Sequence, residues 1–200
     1  FSLEQMTRAA AAIAIAAGKK ILEIYNGDFA VDYKDDKSPL TAADIAANTV
    51  ICDFLAEKYG QYAILSEESK DNPQRRSNPG CFVVDPLDGT KEFVKRNGEF
   101  TVNIAFAYHG KSVMGVVYAP VLDKLWYAAE SLGAFCQPGS EDGCFAEKNR
   151  IHVTGKTENL TVMASRSHAG AEHNALLEKN KAKIGETVSI GSSLKGCLIA

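Results

Sequence analysis

The residues best placed to do chemistry are carboxylates that follow short apolar runs. Residues 81–84, Cys-Phe-Val-Val, pass directly into Asp85-Pro86-Leu87-Asp88-Gly89-Thr90. Pro86 restricts one φ angle and Gly89 permits an unusual one, so Asp85 and Asp88 are expected on a turn at the end of a buried strand. A second apolar run, 62–65, ends in Ser66 followed by Glu67 and Glu68. Two such ends side by side gather four carboxylates. At about 5 Å and an effective dielectric near ~20, each like-charged pair costs about 3 kcal/mol. Cations are the natural remedy, so the pattern points to a divalent-metal site.

A paired-metal phosphate site needs carboxylate ligands, a water that becomes hydroxide, and donors for phosphate oxygens. Glu67, Glu68, Asp85 and Asp88 offer the first. The Gly89-Thr90 backbone amides offer donors. The Thr90 hydroxyl can orient a water, with Asp44 as its proton acceptor. Each piece also has a plain structural reading. Asp85-x-x-Asp88-Gly89-Thr90 can be a turn with solvated acids, and Glu67-Glu68 a wet strand end. Thr41-Ala42-Ala43-Asp44 fits a helix capping box. Trp126 and Tyr127 read as packing residues, and His168 beside Arg166 as a surface residue at a helix start.

These groups need a scaffold, and the composition supports one. The chain has 200 residues, 46% apolar and 24% charged, with net charge −3. That suffices for a buried core and supplies no basic field for polymeric nucleic acid. The five cysteines form neither a C-x-x-C pair nor a zinc pattern, which favours a reducing compartment; Cys136 and Cys144 are the nearest candidates for a bridge. The Ala-rich run 9–17 is far too short to span a bilayer, which takes about 20 residues.

The periodicity predicts a first helix with Ser2 and Gln5 as its capping box and Gly27 as its stop. A hairpin or loop is expected over 28–39. A second helix follows over 41 to about 59, with Ile45, Cys52 and Leu55 facing inward and Gly60 as its stop. Strands are expected at 62–65 and 81–85, then antiparallel at 100–108, 112–119 and 124–129. The Gly-, Pro- and acid-rich stretch 137–149 is the expected domain boundary. Beyond it come strand 160–164, a helix from about 169, strand 187–190 and a helix start at 192. Helices and antiparallel strands followed by strand–helix–strand–helix describe a layered α/β sandwich. Two parts are expected: 1–149, an α+β part holding the metal, and 150–200, the start of an α/β substrate part. The apolar run 197–200 suggests a helix that continues past Ala200.

The motifs 84–90 (Val-Asp-Pro-Leu-Asp-Gly-Thr), 65–68 (Leu-Ser-Glu-Glu) and 41–44 (Thr-Ala-Ala-Asp) occur in an order that resembles the inositol-monophosphatase-like family of metal-dependent, lithium-sensitive phosphatases. Lys91-Glu92-Phe93 and the run 95–104 look like the CysQ-type 3′(2′),5′-bisphosphate nucleotidases within it. So do Ser165-Arg166-Ser167-His168 and Gly191-Ser192-Ser193-Leu194-Lys195. The resemblance implies the family's α-β-α-β-α sandwich, with two or three Mg²⁺ ions on Glu67, Asp85, Asp88 and the Leu87 carbonyl. By the same resemblance, Asp44 and Thr90 would activate water, and Glu68 would stand behind the metals or hold a third. Gly89 and Thr90 would meet the phosphate, while Ser165, His168, Gly191 and Lys195 would bind the nucleotide. The implied reaction removes the 3′-phosphate of 3′-phosphoadenosine 5′-phosphate, or of its phosphosulfate, in nucleotide recycling and sulfate assimilation. A cytoplasmic location is implied; a homodimer and peripheral contact with the inner membrane stay open.

The family's later Trp-Asp motif, which carries another metal ligand, has no match here, so the resemblance implies a longer natural chain and a weakened second metal site without it. Three alternatives remain. The first is an inositol monophosphatase of the same family. The second is a haloacid-dehalogenase-type phosphatase, whose two acids stand closer together in sequence than Asp85 and Asp88. The third is an inactive metal- or nucleotide-binding remnant.

Overall fold

The computed structural model describes residues 2–34, 39–165 and 170–200. The first helix, α1 (Leu3–Tyr25), starts where the Ser2 hydroxyl accepts the Gln5 amide. It ends at Asn26 in right-handed helical geometry, not at a left-handed Gly27; the amides of Asn26 and Gly27 close it by donating to the Leu22 and Ile24 carbonyls. Strands β1 (Val31–Tyr33) and β2 (Pro39–Thr41) form the expected antiparallel hairpin, leading into α2 (Ala42–Tyr59).

The buried stripe of α2 is Ala43, Ala47, Ile51 and Leu55, spaced four apart. Ile45 lies two positions off that stripe, about 200° around the helix, and is 54% exposed, so its expected inward place is corrected. Cys52 is half-buried. Small residues on α1 (Ala10, Ala14, Ala17) let the two helices pack closely on one face of a sheet whose inner residues include Phe82, Val84, Val102, Ile104 and Phe106.

That sheet has seven strands in sequence order: β3 (Ala63–Ser66), β4 (Gly80–Asp88), β5 (Thr101–Tyr108), β6 (Lys111–Ala119), β7 (Lys124–Ala129), β8 (Gly133–Pro138) and β9 (Arg150–Ile151). β3 and β4 are parallel; the other neighbours are antiparallel. A short helix, α3 (Thr90–Val94), follows β4. Asp85 and Asp88 are within β4, not on a turn after it. Register with β3 stops at Val84, and register with β5 shifts between Asp85 and Asp88. Pro86 has no amide proton to give to a ladder, and it falls where β4 has already lost its β3 partner.

β8 and β9 went unseen in the sequence. The stretch 137–149 is tied to the sheet: Gln137 Nε2 donates to the carbonyls of Glu141 and Gly143, and the Phe145 amide donates to the Tyr127 hydroxyl. All five cysteines are free, and Cys136 and Cys144, the nearest candidates for a bridge, form none.

The remaining elements are β10 (Leu160–Ser165), α4 (Ala171–Lys179), β11 (Ile184–Ile190) and α5 (Leu194–Cys197). β10 and β11 pair in parallel as a separate two-stranded sheet. Leu194 is fully buried against Ala119 and Trp126, so this unit rests on the seven-stranded sheet. Helices, sheet, and a second strand–helix unit give the expected layered sandwich. Among the described residues, no helix is long and apolar enough to cross a membrane.

Candidate active site

The site forms where β4 loses its regular pairing. Cross-strand register places Asp85 opposite Asn103 and Asp88 opposite Thr101. Residues 101 and 103 share a face of β5, the one opposite Val102 and Ile104. In this small area Asp85 Oδ1, Asn103 Oδ1 and Thr101 Oγ1 are all buried without a hydrogen-bond partner. Three orphaned oxygens in one place mark a spot that protein donors leave unsatisfied. Burial and the neighbouring charges of Asp88 and Glu67 push the Asp85 carboxyl up to about 8, against a bond from the Leu87 amide.

After Asp88 the chain reverses at Gly89, whose φ is +96°. A Cβ there would stand 2.9 Å from the Glu99 carbonyl and 3.2 Å from Ser192 Cβ. Gly89 caps α3, and Thr90 is its first residue. The Thr90 hydroxyl lies 3.1 Å from Asp44 Oδ1 and 3.3 Å from the Leu87 carbonyl. Asp44 is nearly fully buried, and its other oxygen accepts the Thr41 amide (2.8 Å) and hydroxyl (2.7 Å). The capping-box reading and the Thr90 partnership therefore both hold, on separate oxygens.

Glu67 and Glu68 leave β3 beside this point, with the Glu67 amide on the Val84 carbonyl. Ser66 holds the segment by donating to Asn48 Oδ1 of α2 at 2.6 Å. Lys34, just past β1, reaches both acids: its Nζ is 3.0 Å from Glu67 Oε1 and 2.5 Å from Glu68 Oε1. Burial raises the Glu68 carboxyl, with the Lys34 bond opposing. Burial alone would lower the Lys34 ammonium, but its bonds to Glu68 and Glu67 outweigh it and raise it.

Among the described residues, no three His, Cys, Asp or Glu side chains form a ready metal cage. Glu67 is turned to Lys34, and Asp88 Oδ2 is taken by Ser193 and Asn103. The donors nevertheless suit a hard divalent cation: every candidate ligand is an oxygen, and Asp85 Oδ1 is buried with nothing to satisfy it.

Ser165 ends β10 opposite Ile190, so Ser165 and Gly191 stand at adjacent carboxyl ends of parallel strands, where open α/β sheets commonly take ligands. The Gly191 amide donates to Glu99 Oε2 at 2.8 Å, and a Cβ at 191 would meet Glu92 Cγ at 2.6 Å. Lys195 Nζ turns back to the Ser192 carbonyl at 2.7 Å. His168 and Arg166 lie outside the described residues. Asp44, Asp85, Leu87, Asp88, Gly89 and Thr90 thus come together, Glu67 and Glu68 sit beside them under Lys34, and Gly191 abuts them. Lys34, Asn103 and Ser193 went unrecognised. Lys34 is one lysine in a charged run, and Ser193 meets Asp88 across 105 positions, which local pattern does not reveal.

The chain matches the inositol monophosphatase family over residues 2–200. The 3′(2′),5′-bisphosphate nucleotidase CysQ of Escherichia coli (strain K12) is 47% identical over 189 residues, covering 92% of this chain and 72% of that protein. The same-named protein of Buchnera aphidicola is 40% identical over 191 residues, covering 94% of this chain and 69% of its own length. The crystal structure of CysQ from Bacteroides thetaiotaomicron superposes with a TM-score of 0.82 at 40% identity, over 98% of this chain and 76% of that one.

Proposed function

This chain belongs to the inositol monophosphatase family, and from that membership we propose that it is a Mg²⁺-dependent 3′(2′),5′-bisphosphate nucleotidase. It would remove the 3′-phosphate of 3′-phosphoadenosine 5′-phosphate, or of its phosphosulfate, leaving the 5′-nucleotide. The pairing of Thr90 with Asp44 at 3.1 Å, at the end of the strand that holds the unpartnered Asp85 Oδ1, supports a hydrolytic centre, and the choice of nucleotide rests on the 47% identity to a bisphosphate nucleotidase.

Asp85, Asp88, Glu67 and the Leu87 carbonyl would hold two or three Mg²⁺ ions, with Glu68 behind them. Bound Mg²⁺ neutralises phosphate oxygens and makes water a nucleophile near neutral pH. The Thr90 hydroxyl, held by Asp44 Oδ1, would orient a water for in-line attack, and Asp44 would receive the proton by way of Thr90. The bend at Gly89 would offer backbone amides to a phosphate. Ser165, His168, Gly191 and Lys195 would recognise the nucleotide, with Lys195 leaving the Ser192 carbonyl to do so. The metal-binding acids fall in 1–149 and the nucleotide contacts in 150–200, which would be the division of labour along the chain. A cytoplasmic location fits this chemistry.

Phosphate release from purified protein with Mg²⁺ tests the reading, with 3′-phosphoadenosine 5′-phosphate compared against inositol 1-phosphate. Faster turnover of the nucleotide is expected. Faster turnover of inositol 1-phosphate makes the chain an inositol phosphatase instead, and nucleotide binding with no phosphate release makes it a binding protein.

A further inference from the structure

Among the described residues, Asp88 is the one candidate metal ligand whose carboxylate is engaged by the unit that follows the seven-stranded sheet. Its Oδ2 accepts the Ser193 amide at 2.6 Å, the Ser193 hydroxyl at 2.5 Å and Asn103 Nδ2 at 3.3 Å. The Ser193 hydroxyl in turn accepts Asn103 Nδ2 at 3.0 Å, so the hydroxyl's proton is committed to Asp88. Three donors saturate Oδ2 and set the rotation of the carboxylate, leaving Oδ1 as the oxygen for a cation. Ser193 lies between Gly191, whose amide is bound by Glu99, and Lys195, and it is one residue from Ser192, which touches Gly89. The segment assigned to the nucleotide and the segment assigned to the metal therefore share a carboxylate.

We propose that Ser193, backed by Asn103, is a positioning residue that orients Asp88 for the cation and couples cation binding to nucleotide binding. This rests on the metal-site reading above. Displacement of the 191–195 segment by a nucleotide moves the donors on Asp88 Oδ2, so each ligand alters the affinity of the other by the same factor. A purely structural Ser193, serving only to seat α5 on the sheet, would affect stability and leave cation affinity per folded molecule unchanged.

Calorimetric titration of Mn²⁺ into the folded protein, with and without AMP, separates the two. Relative to wild type, Ser193→Ala is expected to weaken Mn²⁺ about tenfold or more, the usual effect of losing a partner behind a metal ligand. It should also reduce the AMP effect on Mn²⁺ affinity, the Ser193 amide alone remaining on Asp88, while Ser193→Thr, which keeps the hydroxyl, restores both. Asn103→Ala, which removes the Nδ2 donor shared by Asp88 and Ser193 together with the unpartnered Oδ1, should shift Mn²⁺ affinity in the same direction and carries the test if Ser193→Ala does not fold. Wild-type Mn²⁺ affinity in the variants, with or without a lowered Tm, overturns the inference alone. A wild-type protein that binds no Mn²⁺ overturns the metal-site reading and the inference with it.

Discussion

Asp44 divides its work between two oxygens. Oδ2 satisfies the Thr41 amide and hydroxyl at the start of α2, and Oδ1 takes the Thr90 hydroxyl. The consequences of substitution therefore separate. Thr90→Ala leaves the buried Asp44 Oδ1 without its donor, a cost of about 1–3 kcal/mol, and also removes the group proposed to align water. Turnover should fall about 100-fold or more, far beyond what the modest loss of stability explains, and Thr90→Ser should retain most of both. Asp44→Asn places an amide group where the buried Thr41 and Thr90 donors need acceptors, so it should lower turnover and also cost about 1–3 kcal/mol of stability. Measured kcat and urea midpoints for the three variants check this, and a Thr90→Ala enzyme with wild-type kcat would rule out the role given to Thr90. Thr41-x-x-Asp44 was legible because a capping box is a local pattern, and Thr90 because it follows the acids directly. Lys34 was not legible: its partners Glu67 and Glu68 are 33 and 34 positions away, and nothing in its neighbourhood distinguishes it from Lys37 of the same run.

Strand β4 shows how a run of turn-forming residues can be assigned the wrong backbone. Asp-Pro-Leu-Asp-Gly carries the residues of a turn, and the chain does reverse, but only at Gly89. Through Asp88 it stays extended, because β5 continues to flank it while β3 ends at Ser66, and the loss of β3 is what makes Pro86 acceptable. Where a neighbouring strand ends is a property of the sheet, not of the segment. The same reason hid β8, whose residues 133–138 lack strong alternation and become a strand by pairing with β7 and β9. Ile45 was misplaced because α2 buries alanines as readily as larger residues, so large apolar side chains did not mark its inner face. The reversal at Gly89 leads to a firm expectation. Gly89→Ala imposes a positive φ on a residue with a Cβ, about 1–3 kcal/mol, and brings that Cβ to 2.9 Å from the backbone oxygen of Glu99, which has little room to give. Urea unfolding should register at least that loss. Turnover should drop as well, because Thr90 follows directly; unchanged stability would mean that the bend at 89 can be made without glycine.

Asp85 makes the stability of the entire chain depend on pH in an unusual direction. The folded protein holds the Asp85 proton up to about pH 8, whereas an unfolded chain releases it near about 4. Between those limits the folded state carries the extra proton, so stability falls as pH rises through this window and levels off above it. Glu68, also raised by burial, acts in the same sense. Asp71, Asp123 and Glu141 are lowered by their hydrogen bonds, so their stabilising contribution is complete above about pH 5 and is lost only in more acidic solution. From about pH 5.5 to about 8 those three carboxylates therefore add no slope of their own, and the contribution of Asp85 is read from its substitution. Over that range the Tm of metal-free protein should decline, and Asp85→Asn, which cannot ionise, should flatten the decline. Added Mg²⁺ needs the deprotonated carboxylate and binds the folded form, so it should raise Tm more at the upper end of the range than at the lower. A Tm that Mg²⁺ leaves unchanged at both ends, with the same pH slope in Asp85→Asn, would mean that the acids at the end of β4 are neither strained by their proximity nor built for a cation. The orphaned Asp85 Oδ1, placed beside Asp88 and within the field of Glu67, predicts the opposite.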